Sequence, residues 1–128
     1  MNKQDPDIEE KTVLIIDDED IIRASTSAML MDLGYKALIA EDGERGVEIF
    51  KVNRKDINLV IMDIIMPRMG GLEAFEKIKK IDPDVKVIVT SGFPREDRFE
   101  AFIDGGAVAV MKKPYRRKVM AELLSEHI

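Results

Sequence analysis

Five short apolar runs, separated by stretches with helical periodicity, limit this 128-residue chain to very few folds. The run Leu59–Met62 shows no polar alternation, which is typical of a strand buried on both faces of a parallel sheet. Short loops and right-handed crossovers then favour a doubly wound α/β domain, with five parallel strands in the order 2-1-3-4-5 and five helices on both faces. The predicted strands are Thr12–Asp17, Lys36–Ala40, a run that ends at Asp63, Val85–Ser91 and Val108–Met111.

Apolar residues three and four positions apart predict the helices between these strands. The first helix is expected to stop at Gly34, the second to begin after Asp42-Gly43, and the fourth to have Pro94 in its first turn. The last helix is predicted over Arg116–His127, and the whole arrangement is the flavodoxin-like form of the doubly wound sheet. The residues expected to face inward are Ile22, Thr26, Met29, Leu30, Leu33, Gly46, Val47, Phe50, Leu72, Phe75, Ile78, Phe99, Phe102, Ile103, Val119, Met120, Leu123 and Leu124.

Composition excludes several classes of function. The net charge of −5 argues against a sequence-independent grip on nucleic acid, which needs clustered Lys and Arg. The chain has no cysteine, which excludes disulfides, thiol catalysis and zinc-thiolate sites. No apolar run approaches about 18 residues and no hydrophobic signal segment begins the chain, so a cytoplasmic protein without a membrane span is expected. Residues 1–10 are polar and predict a disordered lead before a single domain over residues 11–128.

Polar residues collect at the carboxyl ends of the predicted strands, and these ends share one edge of a parallel sheet. They are Asp17, Asp18, Asp63, Thr90, Ser91, Lys112 and Lys113. Three neighbouring carboxylates repel one another unless a cation neutralises them. Their hard oxygen ligands favour Mg²⁺ or Mn²⁺ over zinc, and Mg²⁺ in such sites commonly holds phosphate oxygens. The sequence therefore predicts a metal-assisted phosphoryl site.

A carboxylate at this edge can itself accept a phosphoryl group, by attack of its oxygen on phosphorus. Asp63 stands alone at the end of the central strand and is the candidate nucleophile, whereas Asp17 and Asp18 are candidate metal ligands. Because side chains alternate along a strand, only one of Thr90 and Ser91 is expected to face the site. In the same way, only one of Lys112 and Lys113 is expected to face the site.

Four motifs occur in one order along the chain: the acidic pair in IIDDED, the D-x-x-M-P-x-M-x-G run from Asp63 to Gly71, Ser91-Gly92, and Lys113-Pro114. Together they resemble the receiver domain of two-component response regulators, over about residues 11–128. The resemblance implies a switch rather than an enzyme. Asp63 would accept a phosphoryl group from a phosphohistidine on a sensor histidine kinase or a histidine phosphotransfer protein. The resulting conformational change would regulate a partner or an output domain.

The resemblance also implies how the metal is held. Mg²⁺, with Mn²⁺ as the alternative, would be bound by Asp18, Asp63 and the backbone carbonyl of Ile65, with Asp17 assisting partly through water. It implies a monomer or a weak dimer that depends on phosphorylation. No output domain is expected after the last helix, which leaves a stand-alone regulator or a receiver separated from a larger protein.

The same family pattern resolves the two paired choices. Ser91 would hydrogen-bond the phosphoryl group, because the family has its switch hydroxyl just before a small residue. Lys113 would pair with the phosphoryl group, because it precedes Pro114, where the family tends to have a cis peptide bond. Lys112 would then point away from the site.

Two features depart from the family pattern. Val110 lies where many receivers carry an aromatic side chain, so the signal from Asp63 would pass through backbone shifts or other side chains. Ile65 and Phe93, both apolar, lie where side chains influence the attack of water on the acyl phosphate. We expect them to shield the phosphoryl group and to make its hydrolysis slow.

Two other classes of function compete with the switch. A constitutive binding module would keep the fold without phosphoryl transfer, but the complete set of Asp18, Asp63, Ser91 and Lys113 argues against it. A small Mg²⁺ phosphohydrolase with an aspartyl nucleophile would need a D-x-D pattern at the first strand and a cap. This chain has an adjacent Asp pair and no cap.

Overall fold

The five apolar runs form one parallel sheet with the predicted strand order, β2-β1-β3-β4-β5. The structure is a computed structural model and describes residues 10–66, 69–92 and 99–128. Every residue of the first strand is buried, as expected for a central strand covered on both faces. The strands are β1 (Thr12–Ile16), β2 (Lys36–Ala40), β3 (Ile57–Asp63), β4 (Lys86–Ser91) and β5 (Ala109–Lys112).

Helices follow each strand. Gly34 follows the first helix with φ +96°, a left-handed conformation that favours glycine, and this confirms the predicted stop. Asp42 caps the second helix, because its side chain accepts a hydrogen bond from the backbone N–H of Arg45 at 2.8 Å. The helices are α1 (Asp20–Asp32), α2 (Gly43–Asn53), α3 (Gly71–Ile81), α4 (Glu100–Asp104) and α5 (Arg117–His127).

Two apolar layers hold the sheet, one on each face. Val60 and Val89 belong to the layer that packs against α2, α3 and α4, where the rings of Phe75 and Phe102 lie 5.3 Å apart. Alternate strand residues form the second layer against α1 and α5. The carboxyl ends of the strands are therefore fixed between helices on both sides.

Three side chains that were expected to face inward are exposed, so those predictions are wrong. Leu72, Ile103 and Val119 have exposed fractions of 38%, 47% and 41%. Ile103 and Val119 belong to α4 and α5, and β5 lies at the edge of the sheet that the described residues form. Leu72 lies in the first turn of α3 and borders a surface depression between α3 and α4. The ends of β1, β4, β5 and α5 also differ by one residue from those predicted.

Some predictions concern residues outside the described ranges. Only residue 10 of the predicted disordered lead is described, and Pro94 and Phe93 also lie outside the described residues. Across the part of the chain that the structure describes, no helix is both long and apolar enough to span a membrane.

Candidate functional site

Two neighbouring strands bring three aspartates to the carboxyl edge of the sheet. β1 and β3 pair in parallel with Ile16 opposite Met62, so the residues that follow them, Asp17 and Asp63, lie side by side. Carboxylate oxygens of Asp17, Asp18 and Asp63 all lie within 4.8 Å of one another. Asp17 and Asp63 are buried, whereas Asp18 is exposed. We call these three residues the acidic group.

The ammonium of Lys113 lies against the acidic group. Its Nζ is 3.0 Å from Asp63 Oδ2, 2.8 Å from Asp17 Oδ2 and 3.4 Å from Glu19 Oε2. Lys113 directly follows β5, and its backbone N–H donates to the carbonyl of Ser91 at 2.8 Å. The end of β4 thus fixes the backbone from which the lysine side chain reaches Asp63.

The protonation of this pair follows from its burial. Burial raises the pKa of Asp63 to about 6, although the hydrogen bond and charge of Lys113 act in the opposite direction. Burial by itself lowers the pKa of Lys113, but the hydrogen bonds to Asp17 and Asp63 and the charges of these two carboxylates together outweigh burial, and the pKa is raised. At neutral pH an ionised carboxylate therefore faces a permanently charged ammonium. The other oxygen of Asp63, Oδ1, accepts the backbone N–H of Ile65 at 3.3 Å.

The two hydroxyl candidates are both buried at the end of β4. Thr90 is the register partner of Asp63, and Ser91 is the register partner of Lys112. Strand alternation directs their side chains to opposite faces of the sheet, with Thr90 on the side of α1 and α5. Ser91 precedes Gly92, where an added β-carbon would lie 3.9 Å from the side chain of Lys113.

The two lysines diverge at the end of β5. Lys113 enters the acidic group, and the peptide bond between Lys113 and Pro114 is cis. Lys112 is exposed and borders a different surface depression, together with Phe99, Ile103 and Val110. Lys112 thus lies on the α4 side of the sheet edge, where the predicted departure at Val110 is also found.

A surface cleft of about 400 Å³ opens at the acidic group. Its lining residues are Asp18, Glu19, Asp63, Ile65, Gly92 and Lys113. The potential ligands that converge here are carboxylate oxygens, which fit a hard divalent cation such as Mg²⁺. Asp63 and Lys113 therefore border the same open cleft.

A family model for the response regulator receiver domain matches residues 13–125. The chain belongs to this family. It is 36% identical to chemotaxis protein CheY of Thermotoga maritima over 117 residues, which are 91% of this chain and 96% of that protein. It is 38% identical over 108 residues to the autoinducer 1 sensor kinase/phosphatase LuxN of Vibrio campbellii, but it spans only 12% of that protein. A receiver domain from Clostridium thermocellum superposes with a TM-score of 0.88 at 30% identity, covering 92% of this chain and 94% of that one.

Membership of the receiver family gives the general function and the general partners. Receiver domains are phospho-accepting signalling switches that bind Mg²⁺ at an acidic pocket, and this receiver domain has such a group in Asp17, Asp18 and Asp63. Receiver domains interact with sensor kinases or phosphotransfer proteins. They are typically switches without enzymatic activity, although some relatives carry enzymatic domains, such as a cyclic di-GMP phosphodiesterase of which this chain spans 28%.

Three residues near the site of this receiver domain were not predicted from the sequence to contribute to it: Glu19, Arg23 and Tyr115. Glu19 contacts Lys113, and Arg23 donates to the backbone carbonyl of Asp17 at 2.8 Å. The third acidic residue in the run IIDDED was an available signal for Glu19. Tyr115 hydrogen-bonds Thr26, which is 89 positions away, and no local pattern could have revealed that contact.

Proposed function

We propose that Asp63 accepts a phosphoryl group from a phosphohistidine on a sensor histidine kinase or a histidine phosphotransfer protein. The observation that carries this proposal is the buried Asp63 carboxylate held 3.0 Å from the ammonium of Lys113 within the acidic group. A carboxylate oxygen forms a bond to phosphorus while the phosphorus–nitrogen bond of the phosphohistidine breaks. The electron pair of that bond returns to the imidazole, and an aspartyl phosphate results.

The proposed metal ligands are Asp17, Asp18, Asp63 and the backbone carbonyl of Ile65. Three carboxylates beside one ammonium leave excess negative charge, and this supports a bound divalent cation. Mg²⁺ is the proposed ion, and Mn²⁺ fits the same oxygen donors. When bound, the ion supplies neutralisation of the charge on the phosphoryl oxygens. One carboxylate oxygen of Asp17 already contacts Lys113. We therefore propose that Asp17 binds the ion partly through water.

Lys113 and Ser91 are proposed to bind the transferred group. The raised pKa of Lys113 keeps its ammonium charged, so it can pair with a phosphoryl oxygen as well as with Asp63. Ser91 is the proposed hydroxyl donor, because it lies at the end of β4 next to Gly92, which lines the cleft beside Lys113. Movement of this hydroxyl toward the phosphoryl group would shift the end of β4.

The output of the switch is proposed to travel toward α4, β5 and α5 through backbone shifts or through side chains other than Val110. It is proposed to regulate a partner or an output domain. Val110 is half-buried against the layer that includes α4, and it lacks the aromatic ring of many receivers. Ile65 lines the cleft and is proposed to slow hydrolysis together with Phe93, which lies outside the described residues. We propose a cytoplasmic monomer, or a weak dimer on phosphorylation, that contacts neither nucleic acid nor membrane directly.

Incubation with Mg²⁺ and a small acyl phosphate, followed by intact-mass measurement, tests the proposal. The wild type is expected to gain one phosphoryl group, and Asp63→Asn is expected to gain none. Asp56→Asn is the matched control, because Asp56 is exposed and precedes the opposite end of the same strand. Absence of an adduct on the wild type, or an adduct on Asp63→Asn, would contradict the proposal.

A further inference from the structure

The segment that follows β5 lies along α1 through three alternate side chains. Lys113 contacts Asp17 and Glu19 just before α1, as described above. Two residues later, the hydroxyl of Tyr115 lies 2.5 Å from that of Thr26 in the middle of α1. Another two residues on, Arg117 Nη2 lies 2.7 Å from Asp32 Oδ2 at the end of α1. We call residues 113–117 the α1 strap.

The middle contact differs in kind from the other two. It joins two neutral hydroxyl groups, and Thr26 is fully buried. Tyr115 packs against the apolar layer that includes Leu30 and Met120. A hydroxyl in such surroundings is tolerated when it has a hydrogen-bond partner, and here each group provides one for the other. The hydrogen bond therefore requires one position of the α1 strap relative to α1. Two apolar side chains in contact would allow a wider range of positions.

Charged residues of the site act on the Tyr115 hydroxyl of this contact. Burial raises the pKa of Tyr115, so the phenol stays protonated at neutral pH, and the charges of Asp17, Lys113 and Asp63 act on it as well. Only Pro114 separates Tyr115 from Lys113 along the chain. A change in the placement of Tyr115 is therefore transmitted directly to the backbone that carries the ammonium.

We propose that Tyr115 is a positioning residue for phosphoryl transfer, which acts by fixing Lys113 against the acidic group through its hydrogen bond to Thr26. This inference rests on the proposed function of Asp63. Lys113 shares its ammonium among Asp17, Glu19 and Asp63. A phosphoryl group on Asp63 would compete for the same ammonium. The contact between Tyr115 and Thr26 involves no charged group, so it persists while Lys113 exchanges partners. It keeps the ammonium within reach of Asp63.

Four variants test the inference. Each is incubated with Mg²⁺ and a small acyl phosphate, and the rate at which the protein gains a phosphoryl group is measured by intact mass. Tyr115→Phe and Thr26→Val each remove one hydroxyl with little change of shape, and each is expected to slow the reaction about fivefold. Thr26→Ser keeps the hydroxyl and is expected to react like the wild type. Tyr35→Phe is the matched control, since Tyr35 lines a depression at the opposite end of the sheet.

The Lys113→Ala background separates positioning from a general loss of stability. If Tyr115 acts through Lys113, Tyr115→Phe has no further effect on the rate in that background, whereas its effect on urea denaturation remains.

An equal slowing in both backgrounds would overturn the inference. So would an unchanged rate for Tyr115→Phe or Thr26→Val while the wild type is modified at Asp63, and this result would leave the proposed function intact. Absence of any adduct on the wild type overturns both. Because Thr26→Val is isosteric, it supplies the test if Tyr115→Phe does not fold.

Discussion

At the scale of single residues, Asp63 combines two opposing influences in one carboxyl group. Its burial disfavours the ionised form, and Lys113 at 3.0 Å favours it. Burial is the larger effect, because the pKa is raised to about 6. The carboxylate that we propose as the nucleophile is thus ionised at neutral pH, but less stable in the native state than in water. A negative charge held in this way is stabilised by a bound cation.

The raised pKa of Asp63 predicts a pH-dependent stability. The native state keeps a proton that the unfolded chain releases between about pH 4 and 6, so the stability of the wild type falls as the pH rises through that window. Asn at this position does not titrate. With a chelator present, Asp63→Asn is expected to exceed the wild type in free energy of unfolding by at most about 3 kcal/mol at pH 7, with the difference vanishing near pH 4. Urea denaturation across this pH range measures the difference in free energy of unfolding between the two proteins. A difference that does not change with pH would contradict the prediction.

Two hydroxyls at the end of β4 predict a matched comparison. Ser91→Ala is expected to prevent the conformational response to phosphorylation while Asp63 still gains the phosphoryl group, because the hydroxyl is proposed to bind the group after transfer. Thr90→Val keeps the shape of a buried side chain and is expected to leave the response unchanged. Amide chemical shifts of the segment after β4, with and without acyl phosphate, measure it. A normal response in Ser91→Ala and a lost one in Thr90→Val would transfer the role to Thr90.

At the scale of secondary-structure elements, close backbone contacts set where the strand ends lie. Gly46 of α2 lies against Ile16, the last residue of β1, and a β-carbon at position 46 would come within 2.4 Å of Ile16 Cδ1. Ile16 is fully buried and directly precedes Asp17. The packing of α2 on β1 therefore contributes to the placement of the acidic group.

Gly46→Ala is expected to destabilise the protein by about 1–2 kcal/mol, because the overpacking outweighs the gain in helix propensity. Urea denaturation measures the loss. Gly70→Ala is the control, since a β-carbon there would meet no atom within 4 Å, and the loss of a helix-capping glycine is expected to remain below about 1 kcal/mol. Equal losses for the two variants would show that Ile16 moves aside.

The order of elements along the chain was predictable because it depends on local patterns. The strand order followed from right-handed crossovers and from the common form of the five-stranded sheet. Unbroken apolar runs located the strands, and the carboxylates that end β1 and β3 had to meet at one edge of a parallel sheet. Side-chain exposure at the rim was not predictable. Ile103 and Val119 continue the helical periodicity, yet β5 is an edge strand and leaves them uncovered. The contact of Tyr115 with Thr26 was equally out of reach, because it depends on how α1 lies on the sheet.

At the scale of the whole molecule, one edge of the sheet concentrates charge that the rest of the fold holds in place. Layers on both faces fix β1 and β3, and contacts with α1 fix the α1 strap that follows β5. The acidic group is consequently preorganised before any cation or phosphoryl group arrives. A ligand of this group binds the native state alone and so stabilises the entire domain.

Mg²⁺ is therefore expected to raise the melting temperature of the wild type, with a free-energy gain of about 2.7 kcal/mol at a concentration a hundredfold above its Kd. Asp18→Asn is expected to abolish most of that gain, because it removes an exposed metal ligand and leaves the contacts of Lys113 in place. Thermal unfolding with Mg²⁺ and with a chelator measures the difference. An equal gain for wild type and Asp18→Asn would contradict the proposed ligand set.

The most direct test of the central claim locates the phosphoryl group on the chain. Borohydride reduces an aspartyl phosphate to homoserine, so the modified aspartate is marked permanently. After treatment with Mg²⁺ and acyl phosphate, reduction and peptide mapping by mass spectrometry, we predict homoserine at position 63 and unaltered aspartate at positions 17 and 18. Homoserine at another position, or none in a sample that carries a phosphoryl adduct, would contradict the account.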